Sequence, residues 1–218
     1  MDPLSLLVQV AFYALFAITL WRYIRRRGPL ELAVALVFAP LAALFVLSLV
    51  NYFAPNLTAT LRPMLILILL LQPWFVVRLV DQIRPVASWV PLAVLGGALA
   101  STAALLVFPG VAIVTLLAVG EFFVVEAAAA ARLMRDSQRR VGVARVRLLV
   151  AALATGLVGT GLLVSGAATA ANIGAAAATV QIVTRVAFFV AAVGYLLAFV
   201  PPYALRGFAY RAMAFELT

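Results

Sequence analysis

The chain has 218 residues, 67% of them hydrophobic and 11% charged, and its formal net charge of +9 comes from arginine alone because it contains no Lys. Soluble domains carry about 25% charged residues, so this is an integral membrane protein, and arginines clustered between apolar spans read as topology and lipid headgroup contact, with no nucleic-acid surface. The absence of Cys, His and Lys removes disulfides, thiolate or imidazole metal sites, haem ligation by those residues, Ser-His or Cys-His catalysis and a retinal Schiff base. No cofactor is implied. Abundant Ala, Val, Leu and Arg without Lys suggests a GC-rich bacterial genome.

An apolar stretch of about 20 residues crosses the hydrocarbon at about 1.5 Å per residue. Seven such stretches are present, which predicts an all-α polytopic membrane protein, a seven-transmembrane-helix bundle in one domain over residues 1–218. The first span, about 4–24, has no basic region before it and no A-x-A site after it, so it reads as a retained span and not a cleaved signal. Gln9 lies inside it, and Trp21 and Tyr23 stand at its interface before Arg25, Arg26 and Arg27.

The second span, about 30–53, is opened by Pro29 and Glu31, which suit a first helical turn and the positive end of its dipole, and Pro40 should kink its middle. The third, about 63–80, carries Gln72, Pro73 and Trp74 near its middle and closes on Arg78, Asp81 and Arg84. The fourth, about 88–107, places Gly96, Gly97, Ala100, Ser101 and Ala104 on a packing face, and the short turn Phe108, Pro109, Gly110 implies a tight hairpin with the fifth.

The fifth span, about 111–134, holds Glu121 and Glu126 and breaks into a basic loop with Arg132, Arg135, Arg139, Arg140, Arg145 and Arg147. The sixth, about 148–165, repeats the small-residue pattern with Ala152, Gly156 and Gly159. An uncharged link leads to the seventh, about 177–200, which carries Gln181, Thr184 and Arg185 and is stopped by Pro201 and Pro202. Residues 201–218 form a cytoplasmic exit segment.

Short loops rich in arginine stay in the cytoplasm. Arg22, Arg25, Arg26, Arg27, Arg78, Arg84, the six arginines of 132–147, Arg206 and Arg211 fall on one side, against Arg62 on the other. The N-terminus is therefore expected outside and the C-terminus inside, in a multi-pass protein of the bacterial inner membrane.

Ionisable groups within spans are costly and mark functional candidates. Glu121 stands about 15 Å from the outer end of its helix and Arg185 about 12 Å from the outer end of its own. Matched depths predict a Glu121–Arg185 ion pair, with Gln181 one turn from Arg185 and Gln72 at a similar level. That group reads either as a polar ligand or signal-coupling pocket between the third, fifth and seventh helices, or as an interhelical lock that only fixes packing.

Glu126 lies about 140° around its helix from Glu121, so the two face different ways. Without a shared face, metal ligands or a nucleophile at suggestive spacing, the two carboxylates give no catalytic constellation and no metal site. The aromatic residues Trp21, Trp74, Trp89, Tyr195 and Tyr203 fit interfacial belts and bundle packing.

The run Tyr195-Leu-Leu-Ala-Phe-Val-Pro-Pro-Tyr-Ala-Leu-Arg206, followed by Met213-Ala-Phe-Glu216-Leu, resembles the exit from the N-terminal seven-transmembrane-helix sensor module of bacterial sensor histidine kinases and related GAF and diguanylate cyclase signalling proteins. Arg78-Leu-Val-Asp81 resembles the step closing helix three of that module, and Val143-Ala-Arg145-Val-Arg147-Leu-Leu the basic approach to its helix six. The resemblance implies a sensory and transmembrane signalling module acting as a homodimer. The stimulus, a small ligand or a lipid, would pass through helix seven and the signalling exit Pro201, Pro202 and Arg206 to a cytoplasmic output domain in cis or in trans. No phosphoacceptor His or ATP-binding segment is present, so the expectation is a sensor excised from a longer protein or one acting through a partner. The alternative is a small membrane transporter with a midplane polar site, its broken helices supplied by Pro40 and Pro73.

Overall fold

The computed structural model describes residues 3–53, 56–171 and 177–199. They form α1 (Pro3–Arg26), α2 (Pro29–Phe53), α3 (Asn56–Ile83), α4 (Trp89–Val107), α5 (Ala112–Gln138), α6 (Gly142–Ala170) and α7 (Ala177–Phe199). All seven contain a stretch long and apolar enough to cross a membrane. A backbone in hydrocarbon must satisfy its own hydrogen bonds, which leaves helices as the economical solution for such spans.

Several helices outrun their apolar stretches, because Arg, Gln and Asp at a membrane surface tolerate helix as well as loop. The largest difference from expectation is at the basic segment 132–147. Arg132 and Arg135 continue α5, and Arg145 and Arg147 already belong to α6. The connection shrinks to Arg139, Arg140 and Val141, and Gly142 takes φ 63° at the start of α6. Four of the six arginines are thus carried on two helix ends, and only Arg139 and Arg140 remain in the connection. At the other short turn, Gly110 takes φ 81°, a left-handed conformation that glycine adopts without steric cost.

Contacts between helices run α1–α2–α3–α5–α6–α7 and back to α1, while α4 packs on α3 and α5. α4 is also the least buried span, which places it outside the ring formed by the other six. Phe12, Leu15, Val37, Phe38, Val76 and Val158 fill the interior, each essentially excluded from the surface. Lipid is as apolar as these side chains, so close packing and polar contacts hold the helices together.

The ends are tied by arginines. Arg22 Nη1 donates to the Phe199 carbonyl, and Arg147 Nε donates to the Ala198 carbonyl at 2.5 Å. Pro202, four residues after Ala198, has no N–H to donate to it, so Arg147 of α6 supplies a donor that the chain itself lacks there. Arg84 Nη1 reaches Asp136 Oδ1 at 3.2 Å, joining α3 to α5. Asp81 accepts from the Val86 N–H at 2.9 Å and approaches Arg78 at 4.0 Å, bracketing the α3–α4 turn. Arg25 and Arg78 lie over the rings of Trp21 and Trp74, one turn earlier in their helices.

Candidate functional site

The two carboxylates of α5 are sorted by azimuth. Glu121 faces α4, where Ser101 Oγ donates to Glu121 Oε2. A Cβ at Gly97 would collide with Glu121 Oε1, so Gly97 and Ser101, one turn apart, receive this side chain. Glu126 faces α6. It is completely buried, and a Cβ at Gly159 would stand 2.8 Å from the Glu126 Cβ, closer than unbonded carbons tolerate. Each carboxylate has a glycine opposite it, one on either neighbour of α5.

Gln72 of α3, also completely buried, is the side chain that bears on the Glu126 carboxylate. No hydrogen bond of normal geometry closes between them. Both amide atoms of Gln72 and both carboxylate oxygens of Glu126 lack a partner among the described residues. Pro73 follows Gln72 directly and has no N–H to donate back along α3.

On the far side of Glu126, Thr155 Oγ1 of α6 and Tyr195 Oη of α7 are 2.9 Å apart in a buried hydrogen bond. Tyr195 lies within electrostatic reach of Glu126. Its ring meets Phe38 of α2 edge-on, with centroids 5.1 Å apart, and stacks with Phe199 at 6.1 Å. Gln72, Glu126, Thr155 and Tyr195 therefore bring α3, α5, α6 and α7 to one polar junction inside an apolar core.

The expected partners are distributed differently. Among the described residues Glu121 and Arg185 form no ion pair: Glu121 accepts from Ser101 of α4, and α6 packs against both α5 and α7. Matched depth was correct as arithmetic but carries no information on azimuth, and Glu121 points to α4. Arg185 is half-buried on α7, and Gln181 is exposed one turn before it. Gln72 joins Glu126 in place of Glu121. Pro201, Pro202 and Arg206 lie outside the described residues.

Thr155 was not singled out in the sequence, and Tyr195, Ser101, Arg22 and Arg147 read there as packing or topology residues and not as parts of a site. Tyr195 reads there as packing, although it is 2% exposed and hydrogen-bonded, and a tyrosine well inside a span signals a buried hydroxyl that needs a partner. Trp21 and Trp89, at 57% and 67% exposed, behave as surface aromatics. No family model, curated protein or solved structure matches the chain.

Proposed function

We propose that the chain is the sensory and transmembrane signalling module of a bacterial receptor, with its N-terminus outside and its C-terminus in the cytoplasm of the inner membrane. Orientation follows from arginine asymmetry. The ties from Arg22, Arg84 and Arg147 join the ends of α1, α3, α5 and α7 and the start of α6 on one side of the bundle, the side that the arginine asymmetry assigns to the cytoplasm.

One observation supports the signalling reading: the Thr155–Tyr195 hydrogen bond fastens α7 to the junction at which Glu126 and Gln72 face each other, buried and with no hydrogen bond of normal geometry among the described residues. A carboxylate in hydrocarbon costs on the order of 2.5 to 3.5 kcal/mol on insertion scales. A carboxylate whose neighbour Gln72 closes no hydrogen bond of normal geometry offsets little of that cost, which points to a role beyond packing. A stimulus that favours one arrangement of α3 and α5 around Gln72 and Glu126 shifts α6 and α7 through Thr155 and Tyr195. The shift is limited by the difference in affinity of the stimulus for the two states. The stimulus class is a small ligand or a lipid, and the output is a cytoplasmic signalling domain in cis or trans, in a homodimer.

The test is a chimera joining α7 in phase to a histidine kinase output domain. Glu126→Gln should change basal autophosphorylation about fivefold or more, while Gly156→Ala, at a position with no neighbour within 4 Å of its Cβ site, leaves it unchanged. Equal activity in both variants contradicts the reading. A second reading, a small transporter, is favoured by Pro73 beside the buried Gln72. Solute counterflow in proteoliposomes that Glu126→Gln abolishes would select it.

A further inference from the structure

The ends of α3 and α5 enclose a cavity of about 330 Å³ whose lining includes Arg84, Arg132, Arg135, Asp136 and Arg139. Arg132 and Arg135 lie on one face of the end of α5, and Arg139, the residue that caps it, follows four positions on at the same pocket. Asp136 is engaged by Arg84 at 3.2 Å. Among the described residues the other three arginines make no ion pair. Four guanidinium groups against one carboxylate leave a cup with an excess of positive charge, shaped for an anion with several acceptor oxygens.

Val80 and Arg132 also line a second cavity of about 170 Å³ between α3, α4 and α5, whose other walls are valines and alanines such as Val90, Val94, Val124 and Ala128. It exists because α4 packs outside the ring, leaving a seam along α3 and α5. A basic cup that shares the walls Val80 and Arg132 with an apolar seam matches a molecule with a phosphate at one end and a hydrocarbon chain at the other. A free phosphate would use only the cup.

We propose that α3, α4 and α5 form a binding site for an anionic phospholipid, its phosphate held by Arg132, Arg135 and Arg139 and an acyl chain lying in the valine seam. The helix dipole at the end of α5 opposes an anion there, and three guanidiniums on its last turns outweigh that partial charge. Basic pockets between membrane helices are a recurrent way to hold lipid headgroups. The site stands independently of the signalling reading, because it rests on different residues, the arginines after α3 and on the end of α5 and the valine seam beside α4.

Native mass spectrometry of the full chain in neutral detergent tests it, with phosphatidylglycerol, phosphatidylcholine and inorganic phosphate as probes. Phosphatidylglycerol should be retained about tenfold better than phosphatidylcholine, and Arg135→Gln with Arg139→Gln should erase that preference. Both side chains are exposed, so the helical content and monodispersity of the variant are expected to match wild type, and Arg139→Gln alone should lower the preference by a smaller factor. Val124→Trp, at a position 64% exposed on the seam, should weaken phosphatidylglycerol retention. Equal retention of both lipids, or no effect of the arginine changes, overturns the proposal. Displacement of phosphatidylglycerol by equimolar inorganic phosphate, with Val124→Trp silent, overturns it in favour of a free-phosphate site.

Discussion

Gly159 of α6 lies against the Cβ of Glu126 of α5, so near that no side chain fits between them. This contact sets how closely the two helices approach at the level of the buried carboxylate. Gly159→Ala forces a methyl group into a filled position and should cost about 1 to 3 kcal/mol. Gly156→Ala, three residues away and open, should be neutral or gain up to about 1 kcal/mol from helix propensity. Thermal unfolding of both variants in the same detergent checks the contrast.

Glu126→Leu should raise thermal stability while silencing the output of the chimera. Breaking a satisfied buried group destabilises, whereas replacing an unsatisfied one by an apolar residue relieves a desolvation cost. All four polar atoms of Glu126 and Gln72 fall in the second class. A loss of stability in Glu126→Leu would show that the carboxylate is structurally satisfied.

The Thr155–Tyr195 hydrogen bond should prove modest in energy. A double-mutant cycle with Thr155→Val and Tyr195→Phe is expected to give a coupling near 0.6 kcal/mol and below about 1.7 kcal/mol, the range for side-chain bonds between membrane helices. The same range is expected for Ser101→Ala with Glu121→Gln, because Ser101 donates to Glu121. Zero coupling in the first cycle would remove the link from the junction to α7.

The number and order of spans were legible in the sequence, because an apolar stretch of crossing length has few alternatives in hydrocarbon. Span ends were less so: α5 and α6 run on past their apolar stretches, and the segment expected as a loop is helix at Arg132, Arg135, Arg145 and Arg147. The candidate site was half legible. Gln72 and Glu126 stood out as polar residues in apolar surroundings, and the five-residue interval already separated Glu126 from Glu121. Which neighbour each one faces depends on the packing order of the helices. That order, with α4 outside the ring and α6 next to α7, is a long-range property that local pattern does not contain. The glycines repeat the lesson: Gly97 meets the Glu121 carboxylate and Gly159 the Glu126 Cβ, while Gly96 and Gly156 meet nothing within 4 Å, although all four lie on the same kind of small-residue pattern.

The end of α7 should loosen when its arginine ties are removed. Arg22→Gln together with Arg147→Gln deprives the Phe199 and Ala198 carbonyls of these donors, so amide exchange over the last turn of α7 should accelerate about tenfold. The middle of α7, around Ala191 and Ala192, is buried and should keep its protection. Uniform acceleration along α7 would mean that the arginines support the whole bundle and not its exit.

The central claim is that the junction at Glu126 moves α7. Because the chain contains no Cys, spin labels can be placed uniquely at Met134→Cys on α5 and Leu197→Cys on α7, both exposed, and their separation measured by pulsed electron resonance. The account predicts that Glu126→Gln displaces the mean distance by about 1 to 2 Å, the scale of helix shifts in switching proteins, and that adding Tyr195→Phe cancels the displacement. An unchanged distance distribution in Glu126→Gln would contradict it.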